Sequence, residues 1–165
     1  MKLRLSALLL LSLALAASAS GASAATARLA PTFRLPTRSG GTVALDSLGA
    51  KVVLLDFWAS WCEPCRKSFP WLATLQQRYG TKGLVIVAIN LDKRRDAAEA
   101  FLEQYPAPFV VAFDPAGKTA EAFRVAAMPT SFVVGKDRAI LAAHAGFDPK
   151  KTGTIESLIQ EACAR

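Results

Sequence analysis

Cys62 and Cys65 stand two residues apart in the string Trp61-Cys62-Glu63-Pro64-Cys65. Two thiols at that spacing can close a small disulfide and reopen it. The thiolate is the reacting species in such exchange. Pro64 suits the first turn of a helix, where its missing N–H has no partner to lose. Cysteines placed there meet unpaired backbone N–H groups and the positive end of the helix dipole, and both favour thiolate. Cys62, at the very start, is expected to be exposed and to be the attacking nucleophile. Cys65, one turn further in, is expected to be the resolving thiol that breaks a mixed disulfide by attacking Cys62. A purely structural disulfide and half of a zinc site are the competing readings. Zinc wants a second pair of ligands, and only His144 and Cys163 remain, at unsuitable spacing.

Three further side chains bear on that chemistry. Asp56 lies in the apolar run Lys51–Trp58, which reads as a buried strand. An unpaired buried carboxylate is costly, so its pKa should rise, and it becomes a proton acceptor for Cys65. A hydrated carboxylate at the strand's rim is the alternative. Glu63 sits between the cysteines, and its charge opposes a nearby thiolate. It should make the pair more reducing by about 1–2 kcal/mol, out of roughly 7 kcal/mol between thioredoxin-like and strongly oxidising pairs. It also serves simply as a first-turn acid. Trp61 could shield the disulfide or touch a partner, whereas Trp58 reads as packing.

The elements that must hold these residues follow from periodicity. Phe33 and Leu35, the turn Ser39-Gly40-Gly41 and Thr42–Leu45 predict an N-terminal β-hairpin. Val52–Phe57 is the central strand. A helix from Cys62 to about Arg78 carries Phe69, Leu72, Leu75 and Tyr79 on one face, with Pro70 expected to kink it and Gly80 to cap it. Leu84–Ile89 is a second buried strand, parallel to the first across the helix. A helix over Arg94–Tyr105, a strand over Phe109–Phe113 and a short helix over Gly117–Val125 come next. Ser131–Val134 and Ala139–Ala143 form an antiparallel hairpin, and Thr154–Ala164 a closing helix with Ile155, Leu158, Ile159 and Ala162 on one face. The class is α/β, with a mixed central sheet flanked by helices.

The segment Val53–Cys65, Val-Leu-Leu-Asp-Phe-Trp-Ala-Ser-Trp-Cys-Glu-Pro-Cys, closely resembles the active-site segment of thioredoxins. Its Cys-Glu-Pro-Cys form is similar to exported thiol–disulfide oxidoreductases of the TlpA/ResA type, from about Ala30 to the C-terminus. The resemblance implies a thioredoxin-like fold with an N-terminal β-hairpin and a central strand–helix insertion over Asp92–Phe113. It implies the proton-acceptor role for Asp56 and a cis bond at Pro129, against the disulfide. Met128, just before it, would offer its backbone to a substrate strand. Two positions depart from the pattern: Ser68, where many relatives carry glutamate, and Ala127, where glycine is common.

Residues 1–24 read as a secretory signal peptide, and residues 25–165 as one thioredoxin-like domain. Lys2 and Arg4 are the positive region, Leu5–Ala17 the apolar stretch, and Ala22-Ser23-Ala24 the cleavage site, with Ala17-Ser18-Ala19 a second candidate. An uncleaved N-terminal membrane anchor is the alternative. Export places the chain in the periplasm, where disulfides persist. The net charge of +7 is scattered, with no basic stripe carrying interleaved aromatics, so nucleic acid is not expected.

The expected function is a protein-disulfide reductase. It acts on thiol and disulfide groups of partner proteins, needs no cofactor or metal, and is recharged by a membrane electron donor. Apocytochrome c and a copper-site cysteine pair are the substrates the resemblance suggests. A disulfide-introducing oxidant, and a copper-binding or delivery protein using Cys62 and Cys65 as soft ligands, are the alternatives. His144 and Cys163 are assigned no role.

Overall fold

The computed structural model describes residues 28–165. The expected signal peptide and the boundary at residues 24 and 25 lie outside the described residues. A hairpin comes first, from β1 (Arg34–Pro36) and β2 (Thr42–Ala44). A five-stranded sheet follows, built from β3 (Val52–Trp58), β4 (Leu84–Asn90), β5 (Val110–Phe113), β6 (Thr130–Gly135) and β7 (Ile140–Ala145), in spatial order β5-β4-β3-β6-β7. The β3–β4 and β4–β5 pairs are parallel, and the β3–β6 and β6–β7 pairs are antiparallel. The helices are α1 (Glu63–Tyr79), α2 (Arg95–Gln104), α3 (Lys118–Ala122) and α4 (Thr152–Ala164). This is the mixed, helix-flanked thioredoxin-like sheet expected from the sequence.

All seven residues of β3 are buried, because both faces of the central strand are covered. Strand alternation sends them two ways. Val52, Leu54 and Trp58 join the core under α1, α2 and α4, which also holds Phe69, Leu72, Ile159 and both active-site cysteines. Val53, Leu55 and Phe57 join a second core with Val43, Phe123 and Phe132, beneath the hairpin and α3. The odd–even pattern puts Asp56 on the cysteine side.

The hairpin has a covering role. Beyond β1, Thr37 bridges Ala112 and the Arg38 N–H donates to the Val111 carbonyl at 2.9 Å, so this segment closes the β5 edge. The Arg38 guanidinium reaches Glu99 at 2.8 Å, tying the hairpin to α2. On the opposite edge Arg28–Ala30 pair with the start of β7, the Ile140 N–H donating to the Arg28 carbonyl at 2.9 Å, and among the described residues the rest of β7 has no further strand beside it.

Helix α1 contains Pro70, as the sequence predicts. Other local details shift. Gly80 is the C-cap of α1, as expected, but not in the left-handed conformation. Its φ is −55°, a 3-10 turn over Gly80–Lys82 continues the chain, and the left-handed residue is Gly83 at φ 110°. A Cβ at Gly83 would meet Lys51 at 2.8 Å, so close approach and φ both require glycine there. Helix α3 is only five residues long. In α4, Cys163 takes the buried place beside Ile155 and Ile159.

Candidate active site

The site forms where the C-terminal end of β3 turns into α1. Cys62 is the N-cap of α1, extended at φ −82° and ψ 102°, and Pro64 lies in the first helical turn. The turn is closed by the Cys62 N–H donating to the Ala59 carbonyl at 3.1 Å and the Cys65 N–H donating to the Cys62 carbonyl at 3.1 Å. The two sulfurs are bonded, with Cα atoms 5.3 Å apart.

Cys62 is not exposed as the sequence suggested: only 4% of its surface is accessible, and none of Cys65. Both cysteines pack in the core that holds Trp58 and Phe69. What stands outside is Trp61, 67% exposed directly beside the disulfide.

Asp56 is fully buried, and desolvation pushes its carboxyl from 3.8 up to about 7, against a smaller opposing effect from Ser131. Ser131 pairs with Asp56 in the β3–β6 register, and its hydroxyl donates to Asp56 Oδ1 at 2.6 Å. The other oxygen, Oδ2, has no protein partner. Ser131 was missed by sequence reading, since only strand register reveals it.

Glu63 lies as expected in the first turn, but it is exposed and paired with Arg66 at 2.7 Å. Solvent and that cation screen its charge. Trp58 packs against Phe69 and Phe101 at centroid distances of 4.8 and 4.7 Å, as a core residue. The Met128–Pro129 bond is cis. Met128 is partly buried and packs against the core that contains both cysteines. Ser68, buried, donates to the Cys65 carbonyl at 3.1 Å.

A second buried carboxylate, Asp92, is one that no sequence motif singles out. It accepts from the Ser60 N–H and hydroxyl, each at 2.8 Å, and from Asn90 Nδ2 at 2.7 Å. It therefore pins the turn that delivers Cys62. Cys163 sits elsewhere: Lys51, at the other end of β3, donates to its carbonyl at 2.8 Å, roughly 20 Å from the disulfide by strand length. Burial raises its thiol pKa. Among the described residues, no group of three or more His, Cys, Asp and Glu is placed to hold a metal ion.

The arrangement can carry thiol–disulfide exchange: a closed pair at a helix N-terminus, an exposed aromatic beside it, and a buried acid on the same face of the sheet. Comparisons agree. A family model described as Redoxin matches residues 24–159. A thiol-disulfide oxidoreductase ResA of Bacillus cereus is 34% identical over 132 residues, covering 80% of this chain and 75% of that protein. The ResA of Bacillus subtilis is 32% identical over 117 residues, 71% of this chain and 65% of that protein. A crystal structure of a candidate thiol:disulfide interchange protein DsbE from Chlorobium tepidum is 45% identical, with TM-score 0.80, covering 83% of this chain and 96% of that one.

Proposed function

Because the chain belongs to the Redoxin family and is a TlpA/ResA-like thiol–disulfide oxidoreductase of the thioredoxin superfamily, we propose that it works as a reductant of specific protein disulfides outside the cytosol. Cys62 attacks the partner's disulfide and forms a mixed disulfide. Cys65 then attacks Cys62, releasing the partner as a dithiol and leaving Cys62–Cys65 oxidised. Two electrons pass to the partner in each cycle, and a membrane electron donor returns them. Asp56 accepts the Cys65 proton as that sulfur attacks. Glu63 trims the potential, while Trp61, Met128 and Pro129 receive the substrate strand. The partner class is a cysteine pair that must be kept reduced for later loading, as in an apocytochrome c or a copper site.

The observation that carries the direction is Asp56. A buried carboxyl with no cation beside it, on the same face of the sheet as Cys65, destabilises a thiolate there once ionised. Poor thiolate stabilisation means a poorly stabilised dithiol form, hence a reducing pair. Export is supported by the signal-like string of residues 1–24. No helix of the described residues is long and apolar enough to cross a membrane.

Equilibration of the protein against glutathione buffers, read by thiol labelling, measures the potential. The expected value lies nearer the thioredoxin reference of about −270 mV than the DsbA reference of about −120 mV. A value at the oxidising end sinks the reductant reading and favours an enzyme that introduces disulfides.

A further inference from the structure

The proton that Asp56 receives must leave a fully buried site, and the sheet contains one polar row that leads outward. In the strand registers Asp56 faces Ser131, and Ser131 faces His144. The three therefore occupy one row across β3, β6 and β7, with side chains on the same face. Asp56 is fully buried, Ser131 nearly so, and His144 half-buried on the open edge strand. Ser131 donates to Asp56, which leaves its own oxygen lone pairs free on the other side.

Ser131 also lines a small cavity of about 10 Å³, together with His144, Trp71, Asp148 and Lys151 among others. This is roughly the room that one water needs. Trp71 lines the same space and its Nε1–H is buried without a protein partner, so a water there would have an indole, a hydroxyl and an imidazole among its neighbours. The charged groups of this wall are Asp148 and Lys151, whose side chains approach at 3.9 Å.

We propose that Ser131 and His144 form the proton exit of the active site, connecting Asp56 to solvent through one water in this cavity. Once Asp56 is protonated the Ser131 hydroxyl turns to the water and accepts from the acid, and Asp56 gives its proton to Ser131 Oγ. Ser131 passes its own hydroxyl proton to the water, and the water passes one to the imidazole, which releases it outside. One proton leaves, no electrons move, and the row returns to the observed state in which Ser131 donates to Asp56. The inference rests on the proposed role of Asp56 in deprotonating Cys65.

Reduced protein mixed with Ellman's reagent in a stopped-flow instrument releases two thiolates: the first reports attack by Cys62, the second attack by Cys65. In His144→Gln the second release is expected to slow at least about tenfold, with the first unchanged. Added imidazole should restore it, and the Cys62–Cys65 potential should not move, because a relay alters rate and not equilibrium. Ser131→Ala should slow the second release as well, while Ser131→Thr retains it. A second release within about twofold of wild type in His144→Gln, slowing that imidazole does not relieve, or a shifted potential overturns the exit. Asp56→Asn separates the two layers of the argument. If it leaves the second release unchanged, the role of Asp56 itself fails. If it slows that release while His144→Gln does not, only the exit fails.

Discussion

Ser131 Oγ lies 2.6 Å from Asp56 Oδ1, joining the central strand to its antiparallel neighbour through a buried acid. Little else holds that carboxyl, since Oδ2 is without a protein partner. The pair makes the protonation of Asp56 visible in the stability of the whole domain.

Asp56 titrates near 7 in the fold and near 3.8 when unfolded. The folded state therefore binds the proton more tightly, and stability falls as pH rises between these values. The loss should be on the order of 4 kcal/mol. Asp56→Asn, which cannot ionise, should remove that slope and be the more stable protein above neutrality. Urea unfolding of the oxidised protein across the pH range checks it, and parallel profiles for the two proteins would refute the buried-acid account.

Ser131→Ala removes the one hydrogen bond that favours the ionised carboxylate. The Asp56 midpoint should move further upward, by direct reading of its side-chain carbonyl in a carbon-13 titration. A midpoint that falls would mean that the cavity, opened by the missing hydroxyl, hydrates the acid.

Asp92 holds the Ser60 backbone and hydroxyl and the Asn90 amide from a buried position. Asp92→Ala should cost about 3 kcal/mol, since hydrogen bonds to a buried charge are worth about 1.5–3 kcal/mol each and their donors would be orphaned. Denaturant unfolding measures this directly. A cost below about 1 kcal/mol would show that the turn before Cys62 holds itself.

Cys65→Ala should trap partner proteins through Cys62. Trapping only through Cys65, in a Cys62→Ala protein, would reverse the assigned roles. On the trapping background Trp61→Ala should lower the yield of mixed disulfide while changing stability by no more than about 0.5 kcal/mol, because the indole is exposed. Undiminished trapping would remove Trp61 from the docking surface.

The fold was legible because its signals are local. Two short runs, Val52–Phe57, apolar but for Asp56, and Leu84–Ile89, read as buried strands, and the 3.6-residue spacing of Phe69, Leu72, Leu75 and Tyr79 declares the helix between them. Helix ends were less legible. Gly80 carries the right residue type for a cap, yet the chain adds a 3-10 turn and places its left-handed residue at Gly83, against Lys51.

The amino-acid sequence by itself determined the reacting pair, the helix that begins at it and the acid in the strand before it, because each is set by spacing along the chain. Tertiary structure alone decided what surrounds them. It hid the Cys62 sulfur beneath the turn, put Arg66 on Glu63, bound Asp92 to Ser60 and lined up Asp56, Ser131 and His144 in adjacent strands. Those last three are 75 and 13 residues apart in sequence, by subtraction of their numbers, and only strand register brings them together. Register is a property of paired strands, and no single strand's pattern contains its partner's.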